Sequence, residues 1–290
     1  MSGFWWQQAV TLRGSVVAET LPKALWFGLW GGAIAFLYRQ GFTQVSLPLL
    51  STLIPNLVLG LLLVFRTNTA YERYWDGRKA WGVIVSAARN LGRTVAIGVE
   101  ATESAAQAAQ TKALYLLAAF ALTTKNYLRG EPATAGVPPQ FLAEESLVPV
   151  ARPPLYLANR LAAYLQSQYR AGCLNEAQLA TAQTTVDALV ESFTACERIQ
   201  RTPLPLAYSI HLKQLLLLYS LSLPFQVVET FLWLTPVMVA VISFTILGVE
   251  EIGLQIEDPF GRDANDLPLD NLCAMLVGEI EALARELPIL

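Results

Sequence analysis

The sequence predicts an all-α protein, an integral membrane helical bundle carrying a helical domain outside the bilayer. Three observations predict it. The chain has 290 residues, of which 54% are hydrophobic and only 15% charged, against roughly 25% charged in ordinary soluble domains; its mean hydropathy is +0.41. The apolar residues sit in blocks on either side of a long middle segment. That middle segment has apolar residues at three and four spacing, with no strand-like alternation and no internal repeat.

The elements follow in order. The opening stretch MSGFWWQQAVTLRGSVV lacks a basic start, a clean apolar centre and a small-residue cleavage site, so it is expected to be no secretory signal and to stay in the mature protein. Ala24 to Tyr38 is bracketed by Lys23 and Arg39, and Gln40 to Phe65 carries no charge until Arg66. A straight helical crossing needs about 20 apolar residues, so both are membrane candidates. Ala80 to Glu100 and Ala105 to Tyr127 read as amphipathic helices, and Gly130 to Pro154, with six of the sixteen prolines, reads as a surface loop. Leu155 to Tyr169 and Glu176 to Gln200 resume helix. Gln214 to Val228 and Thr230 to Val249, separated by Glu229 and stopped at Glu250 and Glu251, form the second membrane pair. Pro48, Pro55, Pro224 and Pro236 interrupt these blocks. Broken helices are tolerated in a bilayer where the freed backbone faces protein or a water-filled cavity.

The expected organisation is 1–78 for the first membrane pair, 79–203 for a cytoplasmic helical domain, 204–250 for the second pair and 251–290 for a C-terminal cytoplasmic segment. Orientation follows from the basic flanks. Arg66, Arg73, Arg78 and Lys79 follow the second block, and Arg198, Arg201 and Lys213 precede the third. Positive flanks stay inside, so the middle domain and both termini are expected in the cytoplasm, with the protein in the inner membrane.

Composition excludes several function classes. A net charge of -3 and a pI near 5.3 argue against nucleic acid as partner, because phosphate binding needs clustered basic excess. Cys173, Cys196 and Cys273 are far apart without a CxxC pair, and His211 is the one histidine, so neither a disulfide framework nor a zinc site is expected. No GxSxG, HExxH or Walker loop is present. No enzymatic activity and no cofactor are expected.

Three motifs carry more. FRTNTAYERYWDGRKAWG, Phe65 to Gly82, sets Arg66, Asn68, Arg73, Trp75, Asp76 and Arg78 directly after an apolar block, denser than a stop-transfer patch and reading as a packed polar junction between a membrane helix and a cytoplasmic one. CERIQRTPLPLAYSIHL, Cys196 to Leu212, places Leu204 between two prolines, which prevents regular helix and sets a rigid turn. EEIGLQIEDPFGRDANDLPLDNLC, Glu250 to Cys273, gathers the oxygen ligands Gln255, Asp258, Asp263 and Asp266. On a helix, Leu57, Leu61 and Phe65 drift by about 40° and rise about 6 Å per step, forming one apolar stripe. Such a stripe packs equally well against lipid or a neighbouring helix.

These three motifs, in this order relative to the apolar blocks, resemble the bestrophin family and in particular its bacterial members, over most of the chain. The resemblance implies a homopentamer around one central pore, surrounded by lipid and passing small monovalent ions. It implies that Leu57, Leu61 and Phe65 line a narrow neck and that Leu204 forms a second constriction at the cytoplasmic exit. Hydrophobic constrictions of this kind gate by dewetting. Gln255, Asp258, Asp263 and Asp266 are similar to a calcium-binding clasp of animal bestrophins. Here Arg262, Ala264 and Asn265 dilute the acidic run, so turn and helix capping is the expected role and weak calcium binding the alternative. Chloride or other anions are the expected cargo, with a sodium-passing channel of the same fold or a non-conducting membrane scaffold as the other readings.

Overall fold

A computed structural model of the chain describes residues 6–7, 11–12, 14–47, 53–99, 104–142, 147 and 150–287. Pro48, much of the N-terminal stretch, and 143–146 and 148–149 of the proline-rich loop lie outside the described residues. Among the described residues the regular structure is helical, with no strand. The principal helices are α1 (Val17–Arg39), α2 (Leu53–Gly98), α3 (Ser104–Leu128), α4 (Pro153–Arg170), α5 (Glu176–Arg201), α6 (Leu206–Phe231), α7 (Thr235–Glu257) and α8 (Leu269–Glu286). They divide into two compact units: Met1–Tyr74 with Pro203–Asp266, and Trp75–Thr202 with Leu267–Leu290.

The first unit holds the apolar helices. α1 lies closely against α7 because glycine lets it. A methyl at Gly28 would stand 3.0 Å from the Cβ of Ala240 and 3.1 Å from the Pro236 carbonyl, and one at Gly31 would stand 3.2 Å from Val239. Phe27 packs with Leu223 and Val239, and Ile34 and Ala35 with Val228, joining α1 to α6 and α7. Pro224 removes one donor from the α6 ladder, and nearby the Trp30 indole N–H donates to the Leu221 carbonyl at 3.1 Å. α6 and α7 are joined by the short turn Leu232–Leu234, where Leu232 takes a φ of 44°. That conformation costs on the order of 1 kcal/mol for a branched residue and is held only by its surroundings. The run Leu206–Glu257 is long and apolar enough to cross a membrane. At 1.5 Å per residue each of its two legs exceeds the ~30 Å hydrocarbon core.

α2 departs from the expected junction. The Phe65 to Gly82 cluster is no break: one helix of 46 residues runs through it. The cluster from Phe65 to Gly82 includes no proline, and its two threonines satisfy themselves locally. Thr67 Oγ1 donates to the Leu63 carbonyl at 3.0 Å and Thr69 Oγ1 to the Phe65 carbonyl at 2.9 Å. Arg73 finds its acceptor on α7, and Asp76 pairs along the helix with Lys79 at 2.8 Å, so these charges do not compete with the backbone ladder.

The second unit is organised around α3. Residues Ala113 to Leu122 on it are nearly all buried, so this helix is central rather than amphipathic as its spacing suggests; α4 and α8 flank it. Small alanines allow this close enclosure. Gln110 Nε2 donates to the Val95 carbonyl at 2.7 Å, tying α3 back to α2. α5 starts in a capping box, with Asn175 and Gln178 each bonded to the other's backbone N–H at 2.9 Å. Cys196 and Cys273 are buried and not joined in a disulfide, and burial pushes both thiols up to about 12.

α8 is fastened by charge in its first turn and again past its middle. Arg89 meets Glu279 through two bonds of 2.7 and 2.6 Å. In the first turn Lys125 and Arg129 each reach Asp270 at 2.8 Å. Their hydrogen bonds hold the Asp270 carboxyl at about 2, below its ordinary 3.8. A carboxyl depressed in the folded state contributes stability above its unfolded value and loses it as pH falls through the folded one. Asp270→Asn is therefore expected to weaken the protein slightly at neutral pH, by under ~1 kcal/mol because the group is largely exposed. The same substitution should flatten the loss of stability between 3.8 and about 2, and thermal unfolding measured at neutral and acid pH checks both.

Candidate functional site

α2 presents two different faces within the first unit. Leu59 and Leu63 are buried against Leu212 and Leu216 of α6. The face that carries Leu57, Leu61 and Phe65 is open in the single chain, with these side chains 67%, 52% and 55% exposed. Asn68 follows on the open side. A stripe of exposed leucine and phenylalanine is costly against water, at about 25 cal/mol per Å² of apolar surface. It needs lipid, further copies of the chain, or enclosure around a narrow path.

Arg66 sits one residue beyond Phe65 and points the other way, because successive helical residues turn by about 100°. It is 2% exposed. Its Nη2 lies 2.6 Å from Oε2 of Glu257, whose side chain is 14% exposed. The other terminal nitrogen, Nη1, has no hydrogen-bond partner among the described residues, so Glu257 is the main compensation for burying the charge. Glu257 is the last residue of α7, where carbonyls lack intrahelical donors. Its own carbonyl accepts from Arg73 Nε at 3.1 Å. Arg66 and Arg73 are two helical turns apart and so share one side of α2.

The remaining carboxylate oxygen of Glu257 is used as well. Oε1 accepts the backbone N–H of Leu204 at 3.0 Å. Pro203 and Pro205 have no N–H, so this is the one backbone donor in the tripeptide. Leu204 is half-buried, while Leu206 beyond it is open. Tyr208, in the first turn of α6, donates its hydroxyl to the Leu62 carbonyl at 3.0 Å. The structure thus brings together Phe65, Arg66, Arg73 and the Leu204 turn through Glu257. That residue was not singled out by sequence, although an arginine closing an uncharged block calls for an acid somewhere.

Other acids of α7 meet cations in the same way. Lys23 of α1 pairs with Glu251 at 3.0 Å, and Lys213 and Arg66 lie within electrostatic reach of Glu250. The rest of the junction set is solvent-facing: Trp75, Asp76 and Arg78 are exposed, and Asp76 pairs with Lys79 at 2.8 Å. His211 is exposed on α6.

The loop after α7 is held by its own polar groups. The Asn265 amide donates to the Gly14 carbonyl at 3.2 Å and to Gln255 Oε1 at 2.7 Å. Asp258 Oδ1 accepts the N–H of Phe260 at 3.3 Å, and Asp266 Oδ2 accepts the N–H of Asp263 at 2.6 Å. Among the described residues no three carboxylate, histidine or cysteine side chains converge as metal ligands.

Comparison with known proteins gives consistent results. The family described as Bacterial/Fungal Bestrophin protein matches residues 2–282. A voltage-dependent anion channel-forming protein of Nostoc is 47% identical over 286 residues, covering 98% of this chain and 93% of the relative. One from Synechocystis is 41% identical, covering 97% and 92%, and one from Escherichia coli K12 is 31% identical, covering 93% and 88%. Crystal structures of variants of a bacterial Bestrophin homolog from Klebsiella pneumoniae superpose with TM-scores of 0.81 and 0.82 at 25% identity. They cover 89% and 92% of this chain and 96% and 99% of the Klebsiella protein.

The buried pair makes a direct prediction. Removing one partner from a buried ion pair costs about 3–5 kcal/mol, because the other charge is left uncompensated. Arg66→Met is expected to lower the unfolding midpoint in detergent by a corresponding amount, and Arg66→Lys to recover part of it. Thermal melts of the three proteins provide the check.

Proposed function

This chain belongs to the bacterial and fungal bestrophin family, and from that premise we propose that it is one subunit of a homopentameric channel carrying chloride and similar small anions passively across the inner membrane. The observation that carries the reading is the open apolar stripe Leu57, Leu61 and Phe65 on a helix whose opposite face is already buried. Closed rotational symmetry turns one such stripe into stacked rings, and apolar rings admit or exclude ions by wetting and dewetting. The names of the Nostoc, Synechocystis and Escherichia coli relatives favour anions as cargo. In this reading residues 1–78 and 204–250 supply the membrane part, and 79–203 and 251–290 are cytoplasmic, with both termini inside. No catalytic step or cofactor is involved.

Leu204 forms the exit aperture in this proposal. The loop of Gln255, Asp258, Asp263 and Asp266 acts as a structural clasp, with the Asn265 amide already bonded to Gln255 Oε1 and to the Gly14 carbonyl. Calcium is then not required for opening.

Purified protein in liposomes tests the proposal. Chloride flux is expected without added partners and in the presence of a chelator, from particles whose mass corresponds to five chains. Leu61→Ala should widen the neck and raise conductance with little change in ion preference. Leu204→Thr should place hydroxyl oxygens at the exit and shift relative permeability more than the neck change does. A stable monomer or dimer, or silence of the wild-type protein, would contradict the channel reading. Strong selectivity change in Leu61→Ala with none in Leu204→Thr would contradict the division of labour.

A further inference from the structure

We infer that Glu257 is a positioning residue that fixes the Pro203–Pro205 turn to the helix bearing the neck, so that the exit aperture and the inner end of the neck hold one geometry together. The inference rests on the pore reading above and adds a residue outside the neck, aperture and loop residues named there. It starts from the three bonds made by that residue. Oε2 meets Arg66 at 2.6 Å, Oε1 accepts the Leu204 N–H at 3.0 Å, and the backbone carbonyl accepts Arg73 Nε at 3.1 Å.

The chemistry of each contact leaves little slack. A carboxylate is acceptor-only, and both partners are pure donors. Glutamine in its place has one accepting oxygen, so it serves either Arg66 or Leu204 while its amide N–H₂ faces the other donor. Aspartate keeps the charge but is one methylene shorter, and spans the two partners poorly. The proline on each side of Leu204 makes the consequence specific. Pro203 and Pro205 restrict the backbone, and the Leu204 N–H is the one donor with which this turn can be tied down. Once it is bonded, the direction of the Leu204 side chain is set.

The opposite end of the linkage is the neck. Arg66 follows Phe65 directly, so a rotation or shift of α2 that moves the Phe65 ring also moves the guanidinium and, through Glu257, the Leu204 turn. Tyr208 Oη on the Leu62 carbonyl at 3.0 Å gives a second tie between the start of α6 and the same stretch of α2. Gly253, one turn before Glu257, lies beside the Arg66 stem, where an added methyl would stand 3.5 Å from Arg66 Cγ. α7 thus carries the side chain that joins both constrictions.

The test is a mutant cycle read as anion permeability ratios in planar bilayers, on wild type, Leu204→Ala, Glu257→Gln and the double variant, each first confirmed as assembled. Glu257→Gln is expected to shift the ratio of a large anion to chloride by about 3- to 10-fold, the span covered by one net hydrogen bond. It should add almost nothing once Leu204 is alanine, because there is then no side chain to aim. A merely structural role would lower stability without this dependence on Leu204. If Glu257→Gln does not assemble, Glu257→Asp enters the same cycle with the same expected direction. Wild-type ratios in the assembled variant, or a shift that adds in full to that of Leu204→Ala, overturn the inference while leaving the channel reading in place. A silent wild-type protein overturns both.

Discussion

A guanidinium buried where the apolar stretch of α2 gives way to polar residues sets the conditions for the rest of the first unit. Removing Arg66 from water costs several kcal/mol, and that is offset only by a partner with good geometry. Glu257 provides it at 2.6 Å from the last turn of α7. Contacts such as Leu59 and Leu63 against Leu212 and Leu216 are non-directional and tolerate sliding. The ion pair does not. It sets the register of α7 on α2, and through the second carboxylate oxygen it sets the start of α6 as well. The glycine-mediated approach of α1 to α7 at Gly28 and Gly31 then completes the bundle.

Much of this architecture was legible in the apolar blocks and their charged borders. The blocks from Ala24, Gln214 and Thr230 each correspond to a helix, and the helices expected from Ala105, Leu155 and Glu176 begin and end within a few residues of the spacing-based bounds, whereas the one expected from Ala80 is the second half of α2. Two features were not legible. Charge density between Phe65 and Gly82 suggested a junction, yet the helix continues because its threonines bond to their own turns and its arginines find acceptors on α7. The central position of α3 was hidden by its alanines, which score as neither strongly apolar nor polar and leave the three-and-four spacing to suggest a wet face.

The candidate site was legible in part for a similar reason. Spacing alone puts Leu57, Leu61 and Phe65 on one face, which is open in the single chain; a role for that face comes only with the family resemblance. Leu204 is marked by its prolines. Glu257 is adjacent in sequence to Asp258 and reads as one more acid of a capping loop; what distinguishes it is contact with residues 53 and 191 positions away. Gly14, Gln255 and Asn265 likewise meet only in space. Local pattern reports which side chains share a face, whereas long-range pairing of single charges depends on the register of whole helices.

The central claim is that this chain encloses a path for anions. It is tested most directly by the zero-current voltage of the purified protein in a planar bilayer separating unequal concentrations of sodium chloride. The account predicts a steady current whose reversal lies close to the chloride equilibrium potential. Reversal near the sodium potential, or no current above that of bare lipid, would contradict it.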